Sequence, residues 1–110
     1  MLVIIASNPH QSHRPAEGVR VAAGLASYGT LPVKVCFCQV AGVILSRDPS
    51  AFVDGDVIKR YLPALAKHAT AIFAESGDPI LEGEPRVPFQ RIGLTELAEL
   101  AKTESKVIRF

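Results

Sequence analysis

Cys36 and Cys38, separated by one residue, are the only thiols in the chain. Residues two apart on a strand point to the same face, so both sulfurs would meet one covering layer. The pair invites a metal or redox reading. A tetrahedral zinc site, however, needs two further ligands, and the only histidines are His10, His13 and His68. No metal site is specified. Two thiols buried in apolar surroundings have raised pKa values and are inert, which makes both core cysteines.

The densest polar cluster is Ser7, Asn8, His10, Gln11, Ser12, His13 and Arg14. Backbone N–H groups at the start of a following helix would attract an anion there, helped by Arg14. The same residues also make an ordinary solvated loop in which Ser12 or Asn8 caps a turn. Neither a dinucleotide fingerprint nor a Walker A pattern is present, so no phosphate cradle is specified. Glu75 and Ser76 end a later apolar run, and a parallel sheet brings them to the same edge as Asn8 and His10. Within hydrogen-bond reach, Glu75 and His10 would form an acid/base pair. Otherwise Glu75 caps the next turn or meets a neighbouring subunit. The expected ligand-binding set is therefore Ser7, Asn8, His10, Glu75 and Ser76.

No serine has an activating context, since Ser46 and Ser76 lack a nucleophile elbow. Asp48, Asp54 and Asp56 miss the calcium-loop pattern and read as loop and cap residues. No catalytic residue and no cofactor are assigned.

An alternating pattern must position these groups. Leu2–Ala6 is a short apolar run broken by Ser7-Asn8-Pro9, the signature of a buried parallel strand and its βα turn. Ligands usually bind at that end of such strands. Pro15 to Tyr28 places Val19, Ala22, Ala23 and Ala26 at helical spacing, with Gly29 as cap and Pro32 as stop. Val33 to Val40 reads as a second strand running on through Ala41–Leu45. Ser46 to Asp56 is a polar loop. From Val57, the residues Ile58, Tyr61, Leu62 and Leu65 share a helical face, which Pro63 is expected to kink or split. Thr70–Ala74 is a third strand, Ile80–Pro88 a loop, and Phe89–Ile92 a short strand. Leu94, Leu97, Ala98 and Ala101 mark a last helix, and Lys106–Phe110 a closing strand. The fold class is α/β: one three-layer α/β/α domain over residues 1–110, with a mostly parallel sheet of four or five strands.

Composition narrows the partners. The 110 residues are 48% apolar, an excess that points to self-association in so small a domain. Phe52, Val53, Ile80, Leu81, Val87 and Phe89 fall in predicted loops, where a monomer would expose them. A symmetric homo-oligomer would cover them. The net charge of +1 comes from 12 basic and 11 acidic residues without a basic stripe, which argues against nucleic acid. No apolar run reaches the roughly 18–20 residues of a membrane span, and no signal peptide is evident. The expected location is the cytoplasm, where cysteines stay reduced.

The whole chain resembles the DsrE/DsrF/DsrH family, which includes the Tus sulfur-relay subunits. The likeness lies in an ordered set of features. They are Ser7-Asn8-Pro9 before the Ala-rich helix, Val35–Cys38 running into Gly42-Val43-Ile44-Leu45, and Ala74-Glu75-Ser76 ending the third strand. Gly93–Leu97 and the closing Val107–Phe110 complete the set. The resemblance implies trimers or hexamers, possible related subunits, and a connection to sulfur transfer. Active members carry a persulfide-forming cysteine near the end of the third strand. Here that region reads Phe73-Ala74-Glu75-Ser76-Gly77 and has none. The implied role is that of a non-catalytic or small-ligand-binding member. The rival reading is a persulfide carrier that uses Cys38 or Cys36 instead.

Overall fold

Alternation of apolar strands with amphipathic helices produces the layered fold that such a pattern dictates. A computed structural model describes residues 1–75 and 85–110. In chain order the elements are β1 (Leu2–Ile5), α1 (Arg14–Tyr28), β2 (Lys34–Cys38) and a 3-10 helix over Gln39–Leu45. A second 3-10 turn (Pro49–Ala51), α2 (Gly55–His68), β3 (Ala71–Glu75) and β4 (Gln90–Ile92) follow. The chain closes with α3 (Leu94–Thr103) and β5 (Val107–Arg109). The five strands pair in the order β4-β3-β2-β1-β5, and every pairing is parallel.

The two faces of the sheet are unequal. Val3, Ile5, Val35, Phe37, Ile72 and Ala74 point to one side, where α1 and α2 cover them as the main core. Alanines on α1 let that helix lie close to β1. Leu2, Ile4, Cys36, Cys38 and Phe73 point to the other side, where Leu97, Leu100 and Ala101 of α3 meet them. Among the described residues, α3 is the helix on this side, and Ile4, Phe73 and Ile92 are half-buried there. Leu94 remains 69% exposed.

Several expectations need correction. Ala41–Leu45 does not extend β2 but lies in the 3-10 helix, with Ala41, Gly42, Ile44 and Leu45 buried. A run buried on all sides shows no alternation, and periodicity cannot then separate strand from helix. The turn itself comes from Gln39, whose φ of 53° lifts the chain out of the extended form. Pro63 does not split α2, which is continuous around it. Its missing N–H falls on the exposed face beside Lys59, where water can serve the unpaired carbonyl. Phe52 and Val87, expected to be exposed, are buried in this chain's own core, and Val53 and Phe89 are half-buried. Ile80 and Leu81 lie outside the described residues, as does Ser76.

Gly29 caps α1 as predicted, in the left-handed conformation at φ 73°. Among the described residues, no helix is long and apolar enough to cross a membrane.

Candidate functional site at the carboxyl edge of the sheet

Where β1 ends, the chain turns sharply and fixes itself with its own polar groups. Asn8 Oδ1 accepts from the His10 backbone N–H at 2.9 Å, and the Asn8 carbonyl accepts from Gln11 and Ser12. Ser12 Oγ accepts from the Arg14 N–H at 3.1 Å, just before α1. Asn8 and Ser12 thus serve as turn caps. Arg14 is turned away, since its Nη2 donates to the Arg109 carbonyl at 3.1 Å.

The loop is then tied to the segment that follows β2. Val53 N–H donates to the Pro9 carbonyl at 2.8 Å. The His10 ring stands edge-on to Phe52, with centroids 5.1 Å apart, and its Nδ1 lies 3.4 Å from the Ala51 carbonyl oxygen. Between these segments opens a cavity of about 460 Å³, walled by His10, Val43, Arg47, Asp48, Ala51 and Phe52. Asp48 is already engaged, because its Oδ1 accepts from the Ser50 N–H at 2.9 Å and caps the short 3-10 turn. Those bonds from Ser50 hold its carboxyl below the usual carboxylate range. Arg47 and His10 remain as the groups able to meet an anion, with Val43 and Phe52 as apolar wall. This volume falls in the range of small-molecule sites.

Glu75 occupies a different setting. As the last residue of β3 it sits in register with Cys38 and with Ile92 of β4, on the α3 side of the sheet. It is 8% exposed, and its Oε2 accepts from Gln39 Nε2 at 3.3 Å. The imidazole of His10 and the carboxylate of Glu75 therefore take different partners. Ser7 and Asn8 are half-buried in the β1 loop, on the His10 side of the edge.

Beneath Glu75 lie both thiols, buried, with their sulfurs 3.7 Å apart. The hydrogen bond to Cys38 and burial together push the Cys36 thiol far above the ordinary range. The charges on Cys38 and Glu75 add to this, while the Glu75 backbone N–H opposes it. Cys38 moves the other way, lowered chiefly by the hydrogen bond from Cys36 and further by the charge of Arg109. Burial and the nearby Glu75 resist that shift. Among the described residues, no group of three histidines, cysteines or carboxylates could hold a metal ion.

Gln39 and Arg47 escaped the sequence reading, and Phe52 entered it only as an exposed loop residue. A polar residue directly after a strand of Val-Cys-Phe-Cys was the one local signal for Gln39. Arg47 and Phe52 reach the site only through tertiary packing.

Comparison with solved structures places the architecture. The chain is similar to the crystal structure of the ychN protein from E. coli, with a TM-score of 0.80 and 20% identity. The superposition covers 99% of this chain and 97% of that one. At that identity the likeness establishes the fold alone. No family model matches the sequence, and no curated protein matches it.

Proposed function

We propose that this chain is an oligomeric, small-ligand-binding member of the DsrE/F group that lacks the usual persulfide cysteine and works in the cytoplasm. Its motif order supports the group, as does its likeness to the ychN protein, whose fold is DsrE-like. Fold alone does not assign function, so the reading rests on the cavity. That pocket of about 460 Å³ lies at the carboxyl edge of a parallel sheet, with His10 and Arg47 set against Phe52. Its chemistry suits a small anion bearing an apolar group.

A thermal-shift screen of small carboxylates and phosphate, on the intact chain, tests this. A ligand at about 100 times its dissociation constant stabilises by about 2.7 kcal/mol. For a chain of this length that raises the melting temperature by about 10 °C or more. Arg47→Ala should abolish the shift for any genuine ligand. A panel that shifts wild type and R47A equally would refute the site.

The α3 side supports the oligomeric part, because among the described residues Leu94 is exposed and Ile4, Phe73 and Ile92 are only half-buried there. A trimer, a hexamer or a complex with related subunits would hide it. Light scattering during size exclusion should give a multiple of the chain mass, reduced by Leu94→Glu. A wild-type monomer argues against it.

A second reading, sulfur carriage, is favoured by the placement of Cys38, the outer of two thiols in contact at the carboxyl end of β2, where the hydrogen bond from Cys36 lowers its pKa. Intact-mass measurement after incubation with a persulfide donor would reveal a gain of one sulfur, lost in Cys38→Ser.

A further inference from the structure

The two sulfurs stand in direct van der Waals contact. They project from the central strand on one face, 3.7 Å apart, and each is the other's hydrogen-bond partner. Cys36 is fully buried, whereas Cys38, the last paired residue of β2, is 6% exposed. The geometry points to a reversible dithiol/disulfide couple between Cys36 and Cys38, closed by a low-molecular-weight disulfide of the glutathione type.

Closing the bond brings the sulfurs from 3.7 Å to about 2.05 Å. Two residues along a strand span roughly 6.7 Å between Cα atoms, near the upper end of the span disulfides tolerate, about 6.8 Å. The Cβ atoms, which point the same way, stand about as far apart as the Cα atoms, whereas a disulfide holds them at about 3.5–4.5 Å, so the strand must tighten locally for the bond to close. Gln39, at φ 53°, already breaks the extended backbone directly after Cys38, so tightening need not travel further along β2. A bridge held at that limit is strained, and strained bridges are the readily reduced ones. The couple is built to reverse rather than to staple the fold.

The order of events follows from the two environments. Cys38 is the outer thiol, and as a thiolate it can accept the hydrogen bond of Cys36, so it is the one that attacks the small disulfide. That disulfide's S–S bond breaks, one small thiol departs, and a mixed disulfide remains on Cys38. Cys38 then no longer carries the charge that held the proton on Cys36. Cys36 gives up that proton to solvent and attacks the Cys38 sulfur. The mixed disulfide breaks and the second small thiol leaves. Two protein thiols are oxidised by two electrons in all, and one small disulfide is reduced to two thiols carrying the two protons.

The test uses the intact native chain in buffers of oxidised and reduced glutathione, quenched in acid, alkylated and weighed whole. Wild type should pass from two alkylatable thiols to none, retain no glutathione, stay monomeric in covalent mass, and recover both thiols in excess reduced glutathione. Cys36→Ala should accumulate one glutathione adduct, and Cys38→Ala should take none while folded. Peptide mapping of oxidised wild type decides the matter should either variant fail to fold. A lasting glutathione adduct on wild type, a covalent dimer, or two unmodified thiols in protein folded by circular dichroism would overturn the proposal. The reagent carries no transferable sulfur atom, so the result is independent of persulfide carriage.

Discussion

The side-chain amide of Gln39 donates to the carboxylate of Glu75 at 3.3 Å, joining the residue after β2 to the last residue of β3. Gln39 accepts a left-handed backbone to do so. A non-glycine residue there costs on the order of 1–2 kcal/mol. The fold carries this cost where a buried carboxylate needs a donor and where the chain must leave the sheet for the 3-10 helix.

Substitutions at position 39 separate the two effects. Gln39→Ala keeps the backbone cost and loses the hydrogen bond, so stability should fall by about 1–2 kcal/mol. Gln39→Gly relieves the backbone, and should exceed the alanine variant by about 1 kcal/mol in urea denaturation. Equal midpoints for the two would refute the assignment.

Two glycines predict opposite outcomes. A Cβ at Gly55 would stand 1.8 Å from the Pro49 carbonyl oxygen, against backbone that cannot rotate away. Gly55→Ala should cost about 1–3 kcal/mol and disturb the Phe52 wall of the cavity. A Cβ at Gly24, inside α1, meets nothing within 4 Å. Gly24→Ala should stabilise by about 0.8–1 kcal/mol through helix propensity. Paired thermal melts check both signs.

Phe37 is fully buried on the central strand, between β1 and β3, under α1 and α2. Phe37→Ala should cost about 3–5 kcal/mol, a large share of the roughly 5–15 kcal/mol that holds a typical domain. Chemical denaturation should find the variant near or past its unfolding threshold at 37 °C.

Acid should loosen the tie between β1, β2 and the end of α3. Glu104 accepts from the Met1 ammonium at 2.8 Å and from Lys34 Nζ at 3.1 Å. These two bonds, the ammonium first, hold its carboxyl below the ordinary 4.5. A carboxylate lowered by folding stabilises fully above its unfolded pKa, and that share is lost as pH falls through the folded value. Stability should therefore decline below about pH 4.5. Glu104→Gln should flatten that part of the profile in denaturation series between pH 6 and pH 3.

The strands and helices were largely legible: β1 as a short apolar run closed by Asn8-Pro9, α1 from Val19, Ala22 and Ala23 at helical spacing. Gly29 announced its own cap. The 3-10 helix was not legible, since Ala41–Leu45 is apolar throughout, with all but Val43 buried, and such a run looks like a strand. Phe52 and Val87 misled for a related reason. Loop residues are usually solvated, yet these two drop into the main core, a matter of tertiary geometry rather than local pattern. At the site, the turn around Asn8 could be read from Asn-Pro chemistry. The pairing of His10 with Ala51 and Phe52 joins positions some forty residues apart, and nothing local encodes it.

The first strand lies between the second and the last, with Leu2 opposite Lys34 on one side and Val107 on the other. During folding, β1 therefore keeps one bare hydrogen-bonding edge until Val107–Arg109 docks on it. Such an edge is a template for mispairing. The short β5 thus guards the sheet against self-association, and weakening its pairing would expose β1 as a sticky edge.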